Sequence, residues 1–339
     1  MAKKKDKFKD LPLKDQIKPI FQERFTQILG EKEYEKFKEC IILPQRKSFR
    51  INTIKEKNPK NLIKEIKKKG IEIEKVPWCE DAYFTIFNEN TRTDLGNLYE
   101  HFLGKIYVQE ATSMCPPEIL EIPEDIENYK KTNNFEEFKV LDMAASPGSK
   151  TTQLGIKMKN QGILVANEID FKRLGPLKIN LERTGLTNIV ISNKDGRLIK
   201  GENEYDRILL DAPCSGSGVI RKSPKTIQTY NPKKLKGMQQ LQLKLMQRAF
   251  ELLKPNGIMS YSTCSIDPEE NELAIEKFLN ANPNAKLEKI NLKGLILNNK
   301  LSKFKEHIIP KEITEKTVRI WPQDNDTNGF YLAKIRKLK

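Results

Sequence analysis

Histidine is nearly missing from this chain: its 339 residues contain only His101 and His307. Neither opens the H-x-E pattern of a zinc deaminase, and the five cysteines include no C-x-x-C pair. Zinc sites draw on clustered cysteines and histidines, so no metal is expected. An odd, scattered set of cysteines also suits a reducing compartment, here the cytoplasm, better than a disulfide framework. No apolar run approaches the roughly 18 residues that cross a bilayer. The opening MAKKKDKFKD is a charged tail without the apolar stretch of a secretory signal, so no membrane partner is expected.

What is abundant is positive charge. Lysine and arginine number 61 against 46 acidic residues, a net charge of +15. Such an excess points to a polyanionic partner, most commonly nucleic acid, although lysine abundance also accompanies genomic bias and thermal adaptation. The length allows about two domains, and the expected state is a monomer.

Residues 11–43 have helical spacing at Ile17, Ile20, Phe21, Phe25 and Ile28. SFRINTIK (48–55) and IEIEKVPW (71–78) have the pattern of strands on either side of a short lysine-rich helix, NLIKEIKKKG. The expectation is a small α+β, RRM-like RNA-binding unit over residues 1–105. Residues 121–137 are acidic and without period, as in a loop. From about residue 138, apolar runs alternate with amphipathic stretches: FKVLDMA, GILVANE, NIVISNKD, YDRILLDAP and GIMSYSTCS. That alternation predicts a Rossmann-like, doubly wound α/β sheet within 106–339. In the long stretch before the last run, Met238, Leu241, Leu245, Ala249 and Leu252 share one helical face.

Each polar motif follows a predicted strand, where such sheets hold ligands. VLDMAASPGSKTTQL has a strand, a tight turn and a helix start. It is no Walker loop, because Met143 and Ser149 stand where glycines belong, and with Gly148 alone it is no dinucleotide fingerprint. Acidic residues instead end successive strands at Asp142, Glu168 and Asp195, with Glu168 twenty residues past Gly148. A nucleoside cofactor without phosphates, S-adenosylmethionine, fits this series; helix caps and turn residues are the competing reading of each acid alone.

Two cysteines sit in polar turns after strand-like runs, Cys214 in DAPCSGSG and Cys264 in SYSTCS, fifty residues apart. Cys40, Cys79 and Cys115 adjoin Ile41, Trp78 and Pro116 and suit packing. Trp78 and Trp321 are read first as buried rings and second as stacking platforms. A methyl donor beside loop thiols suits cytosine-C5 chemistry. The C5 carbon becomes nucleophilic only after a thiolate adds to C6, and a neighbouring acid supports the adduct. Asp211 is the nearby acid, and Lys150 and Arg221 are cations able to favour a thiolate. Either Cys214 or Cys264 satisfies this chemistry as the attacking group.

VLDMAASPGSK, ANEID, DAPCSGSG and SYSTCS together resemble the RNA (cytosine-5) methyltransferases of the Sun/Fmu family, with SFRINTIK, YVQEATSM and RIWPQDNDTNGFYLAKIRK extending the likeness. The resemblance implies that Cys264 is the nucleophile, that Cys214 acts in product release, and that Asp211 and Lys150 contact the base. It implies cofactor binding by Ala144, Ala145, Ser146, Pro147, Gly148, Ser149 and Lys150, with Glu168, Arg173, Asp195 and Asp211. Ala144 stands where the family more often has cysteine, and Ser149 where it has glycine. The implied partner is tRNA or rRNA, with basic residues including Arg221, Lys222 and Lys225 on its phosphates. A methyltransferase of the same fold for another substrate, and a non-catalytic RNA-binding or assembly factor, are the alternatives.

Overall fold

A computed structural model describes residues 16–87, 94–124, 126–133, 138–298 and 300–339. The expected N-terminal helix divides at Gly30, whose φ of +78° breaks the run into Pro19–Leu29 and Glu31–Ile41. The buried Phe21, Phe25, Tyr34, Phe37 and Ile41 of these helices pack on Ile220, Ile227, Tyr230, Ile266 and Trp321, far along the chain. Arg24 extends the contact with an ion pair to Asp267 at 2.7 Å.

The next four strands are β1 (Ser48–Ile51), β2 (Ile71–Lys75), β3 (Ala82–Phe87) and β4 (Ile106–Val108). They form an antiparallel sheet in the order β2-β3-β1-β4, the split βαβ order of an RRM. The fourth strand lies just past residue 105 and completes this sheet. Alternation along β1 sends Phe49 and Ile51 towards Leu62 and Ile66 of the helix Pro59–Lys68, which is capped by the Asn58 side chain.

The middle of the opposite sheet face, on which an RRM stacks bases, is covered here, while Glu72, Glu74 and Ile86 on its β2 side stay exposed. Arg50 is 2% exposed and crosses to the second unit. Its Nε donates to Gln109 Oε1 at 2.7 Å, and its Nη2 donates to the Ser149 carbonyl at 3.0 Å and to Thr152 Oγ1 at 3.1 Å. Phe84 and Trp78 join Met114, Ile320 and Phe330 in one apolar cluster. The sheet is thus a docking face, and any RNA contact of this unit falls on its edges or its helical side.

The second unit holds β5 (Lys139–Asp142), β6 (Ile163–Asn167), β7 (Ile189–Ser192), β8 (Tyr205–Asp211), β9 (Leu253–Thr263) and β10 (Ala285–Glu288). A two-stranded ribbon, β11 (Lys303–Phe304) and β12 (His307–Ile308), precedes β13 (Val318–Ile320) and β14 (Phe330–Lys337). The large sheet runs β10-β14-β9-β8-β5-β6-β7. Strands β5 to β9 are parallel, and β14 and β10 are antiparallel to their neighbours. Chain order reverses between β5 and β8, so the ligand crevice belongs beyond their carboxyl ends.

Two expectations change. The stretch 121–137, read as a loop, contains the helix Ile126–Asn133. The long helix, Leu235–Leu252, buries Gln239, Gln242, Leu245, Met246 and Ala249, while Met238 and Leu241 are half-buried. Its inner face is rotated because two glutamines are drawn inward by hydrogen bonds to Glu269 O, Pro213 O and Glu270.

Replacing Arg50 with methionine removes a charged donor and leaves Gln109 Oε1 unpaired in the interface, while the Ser149 carbonyl keeps its bond from Thr152 Oγ1. Urea denaturation of Arg50→Met should show a loss of more than about 2 kcal/mol. An unchanged midpoint would show that the sheet docks without it.

Candidate active site

The register between β8 and β9 brings the two cysteine segments together. Asp211, the last residue of β8, is paired with Ser262 on β9, and Ala212 N donates to the Ser262 carbonyl at 2.8 Å. From this shared level the chain runs three residues to Cys214 and two to Cys264, whose sulfurs lie 3.0 Å apart. Both are free, half-buried thiols.

Backbone packing fixes the approach. Gly218 N donates to the Cys264 carbonyl at 2.9 Å, and Gly329 N donates to the Gly218 carbonyl at 2.9 Å. A Cβ on Gly218 would lie 2.3 Å from the Gly329 oxygen, so only glycine permits the three segments to meet. Behind Cys214, Glu270 accepts from Ser215 N at 2.9 Å and from Gln242 Nε2 at 2.9 Å. The bond between the sulfurs and burial together push the Cys214 thiol well above its ordinary range, so it is neutral at physiological pH. Lys150 and Arg221, named from sequence as cations able to favour a thiolate, do not outweigh these effects at Cys214.

Asp211 is held on both oxygens. Lys150 Nζ donates to Oδ2 at 2.6 Å, and Ser262 Oγ donates to Oδ1 at 2.7 Å. Ser113 Oγ accepts a second bond from Lys150 at 3.0 Å. Burial opposes the Lys150 charge, but the Asp211 carboxylate outweighs it and raises the ammonium above its ordinary value. Sequence reasoning missed Ser113 and Ser262 as contributors; both stand inside quoted motifs, but no spacing rule singles out a serine.

A cleft of about 690 Å³ opens over this group. Its lining includes Ala144, Ala145, Ser146, Pro147, Ser149, Lys150, Asp211 and Cys264, together with Tyr107 and Gln109 from the first unit and its connection. The turn ahead of the helix Ser149–Lys157 depends on Gly148, whose φ is +104°. Ser146 is tied to Arg173 in both directions, its Oγ donating to the Arg173 carbonyl at 2.8 Å and its carbonyl accepting from Nη2 at 2.5 Å.

Glu168 lies buried at the end of β6, its Oε1 accepting from Asp170 N at 2.9 Å and its Oε2 at 3.3 Å from Arg173. Asp195 caps Arg197 N at 3.0 Å, and the Arg197 guanidinium holds its carboxyl below the usual range. Among the described residues, Glu168, Arg173 and Asp195 adjoin the cleft rather than line it. The exposed Ile169, next to Glu168, adds an apolar surface at that end.

Arg221 departs from its expected role. Its guanidinium donates to the carbonyls of Leu43, Pro44 and Thr327 and pairs with Asp326 at 2.7 Å, so it clamps the linker instead of holding phosphate. Lys47 and Lys222 are exposed cations on the cleft lining, and Lys225 is exposed outside it. His101 packs edge-on to Tyr107, and His307 pairs with Glu276, so neither joins the thiols. Trp78 and Trp321 are buried. The described residues contain no cluster of metal ligands.

Asp142, at the cleft floor, accepts from Thr151 Oγ1 at 2.6 Å, while its other oxygen is buried without a hydrogen-bond partner. A buried acceptor of this kind fits the cationic, donor-rich amino-acid end of S-adenosylmethionine. Burial pushes the Asp142 carboxyl up to about 7. A carboxyl raised by folding favours the folded state when protonated, so its stabilisation fades as pH rises from the ordinary value through the folded one. The melting temperature of Asp142→Asn relative to the natural chain should therefore rise between about pH 5 and about pH 8. A difference that stays flat would show that Asp142 ionises normally.

Comparison with known proteins gives a family to this geometry. Residues 131–336 match the family described as 16S rRNA methyltransferase RsmB/F, and residues 17–111 match the N-terminal domain of 16S rRNA methyltransferase RsmF. The tRNA (cytosine(49)-C(5))-methyltransferase of Pyrococcus abyssi is 39% identical over 326 residues, covering 96% of this chain and 98% of that protein. Ribosomal RNA small subunit methyltransferase F of Vibrio atlanticus is 39% identical over 297 residues, 87% of this chain but 58% of that protein. A crystal structure of a methyltransferase homolog from Pyrococcus horikoshii superposes with a TM-score of 0.78 at 32% identity, covering 96% of this chain and 99% of that one. The matches span both units and carry the cysteine-bearing strand ends with them: the chain belongs to the RsmB/F, or Sun/Fmu, family of S-adenosylmethionine-dependent RNA (cytosine-5) methyltransferases.

Proposed function

We propose that this protein methylates C5 of a cytosine in tRNA through a covalent adduct between Cys264 and C6. The observation that carries the mechanism is the pair of sulfurs 3.0 Å apart beside an Asp211 held by Lys150. Support for tRNA comes from the relative matched over 98% of its length, whereas the rRNA relative is matched over 58%.

The Cys264 thiolate adds to C6, forming the S–C6 bond and moving the ring electron pair towards C5 and N3. Asp211 accepts from the N4 amino group, and the Lys150 ammonium stabilises the negative charge gathered at N3. The Ala144–Lys150 turn with Asp142, Glu168 and Arg173 would hold S-adenosylmethionine, which when bound would supply an electrophilic methyl group for C5 and leave as S-adenosylhomocysteine. Transfer of the C5 proton to a solvent water returns the electron pair and expels the Cys264 thiolate. Cys214, neutral and in contact with the departing sulfur, assists that release. Asp195 is bonded to Arg197 and must exchange that contact to hold the cofactor.

Nucleoside mass spectrometry decides the reading. Incubation with S-adenosylmethionine and separate tRNA and rRNA transcripts should give 5-methylcytidine in the tRNA pool. A product confined to rRNA would move the substrate, and none in either pool would sink the proposal. Cys264→Ala should abolish transfer while leaving cofactor binding, followed by calorimetry, intact. Cys214→Ala should instead accumulate a protein–RNA species that survives denaturing electrophoresis. Exchanged phenotypes would reverse the two roles.

A further inference from the structure

The helix Tyr99–Phe102 is a single turn between β3 and β4. It turns Glu100 inward to an ion pair with Lys69, and it lays the His101 ring edge-on against Tyr107 at 6.5 Å. Tyr99 and Phe102, three residues apart and so on one face, are 67% and 75% exposed. Two large rings side by side in water are unusual on a surface this charged.

Their position gives them a use. The turn just before the helix contributes Asp94, Leu95 and Gly96 to the cleft, and Tyr107 just after it lines the cleft as well. The rings therefore stand near its rim. Positive charge lies beside them: the exposed Lys55 ammonium spends two of its three N–H groups on the Leu103 and Arg183 carbonyls at 3.2 and 2.8 Å and turns the third to solvent, while Arg183 Nη1 is committed to the His101 carbonyl at 2.6 Å. Aromatic faces beside cations make a platform for unstacked nucleotides, and a base delivered to a thiol must leave its stack. A protein partner would equally cover exposed rings, but the flanking cations and the continuity with the cleft favour RNA.

We infer that Tyr99 and Phe102 form a stacking platform for an unpaired nucleotide neighbouring the target cytosine. Docking covers the middle of the RRM-like sheet face, where such units stack bases, and the inference rests on the RNA methylation reading above. The test uses the full chain, a tRNA transcript and Tyr99→Ala/Phe102→Ala. Its KM for RNA should rise on the order of tenfold, with kcat at saturating RNA, cofactor affinity and melting temperature unchanged. The single variant Phe102→Leu keeps an apolar surface without a π face and should also weaken RNA binding; Phe102→Tyr should not.

A double variant with natural RNA KM, in a preparation that makes 5-methylcytidine, would overturn the platform and leave methyl transfer standing. Full retention by Phe102→Leu would also overturn it, pointing to an apolar contact of another kind. If the natural chain makes no product, the methylation reading fails on that result alone. Fluorescence anisotropy with the same RNA then still tests the platform, and equal affinity of the natural and doubly substituted chains would refute it.

Discussion

The pairing of Asp211 with Ser262 across β8 and β9 is the constraint on which the site depends. In a parallel pair, a shift of one residue changes which side chains share a face. Such a slip would separate the acid from its serine and move one cysteine away from the other. The segment between the cysteines includes the helix Leu235–Leu252 and the strand that follows. That helix also presents Gln242 to Glu270 and the Pro213 carbonyl, bracing the Cys214 loop from behind. The close contact of Gly218 with Gly329 then brings the C-terminal strand into the same arrangement. Distant parts of the sequence thus contribute to one sulfur–sulfur distance.

The Arg50 interface makes a second constraint. A buried guanidinium bonded to Gln109, Ser149 and Thr152 fixes the RRM-like sheet against the helix that carries Lys150. The sheet gives up the middle of its open face, and in return the cleft gains a wall held at a defined position. Gln109 is central to that wall, because its amide also donates to the Ser113 carbonyl at 2.9 Å. Ser113 in turn receives Lys150, so domain docking and the orientation of the Asp211–Lys150 pair are parts of one hydrogen-bonded chain.

The parallel strands were legible in sequence because strands buried on both faces are continuous apolar runs. The cysteines were legible because they break from such runs into polar turns. Helix faces were less so: Gln239 and Gln242 look like surface residues until their partners on the Cys214 side are known. Arg221 shows the same limit. A cation committed to three backbone carbonyls has the same letter in the sequence as one waiting for phosphate, and only its burial tells them apart. The RRM-like topology was accessible from strand and helix spacing, but the covering of its sheet was not, since it depends on residues as distant as Ser149, Ile320 and Phe330. Asp195 was legible as an acid after a strand, and the structure shows the turn-capping contact that competed with its ligand role from the start.

The Lys150–Asp211 pair carries the last step. Removing two charges from water costs several kcal/mol per ion in a protein interior, and their attraction rarely returns more than that. Fold stability is therefore a weak reason to keep the pair where it lies. Ser113 and Ser262 hold its outer valences, and Asp211 opens on the cleft rather than the core. A pair so placed has already undergone the desolvation and ordering that charge stabilisation on a bound base requires. Preorganised charges of this kind act at the moment of reaction without rearranging solvent, which is where electrostatic catalysis gains its advantage. On the proposed mechanism the arrangement prepares for an adduct: the acid fixed on β8, the ammonium fixed by domain docking, and the thiol two residues beyond the strand position that binds the acid.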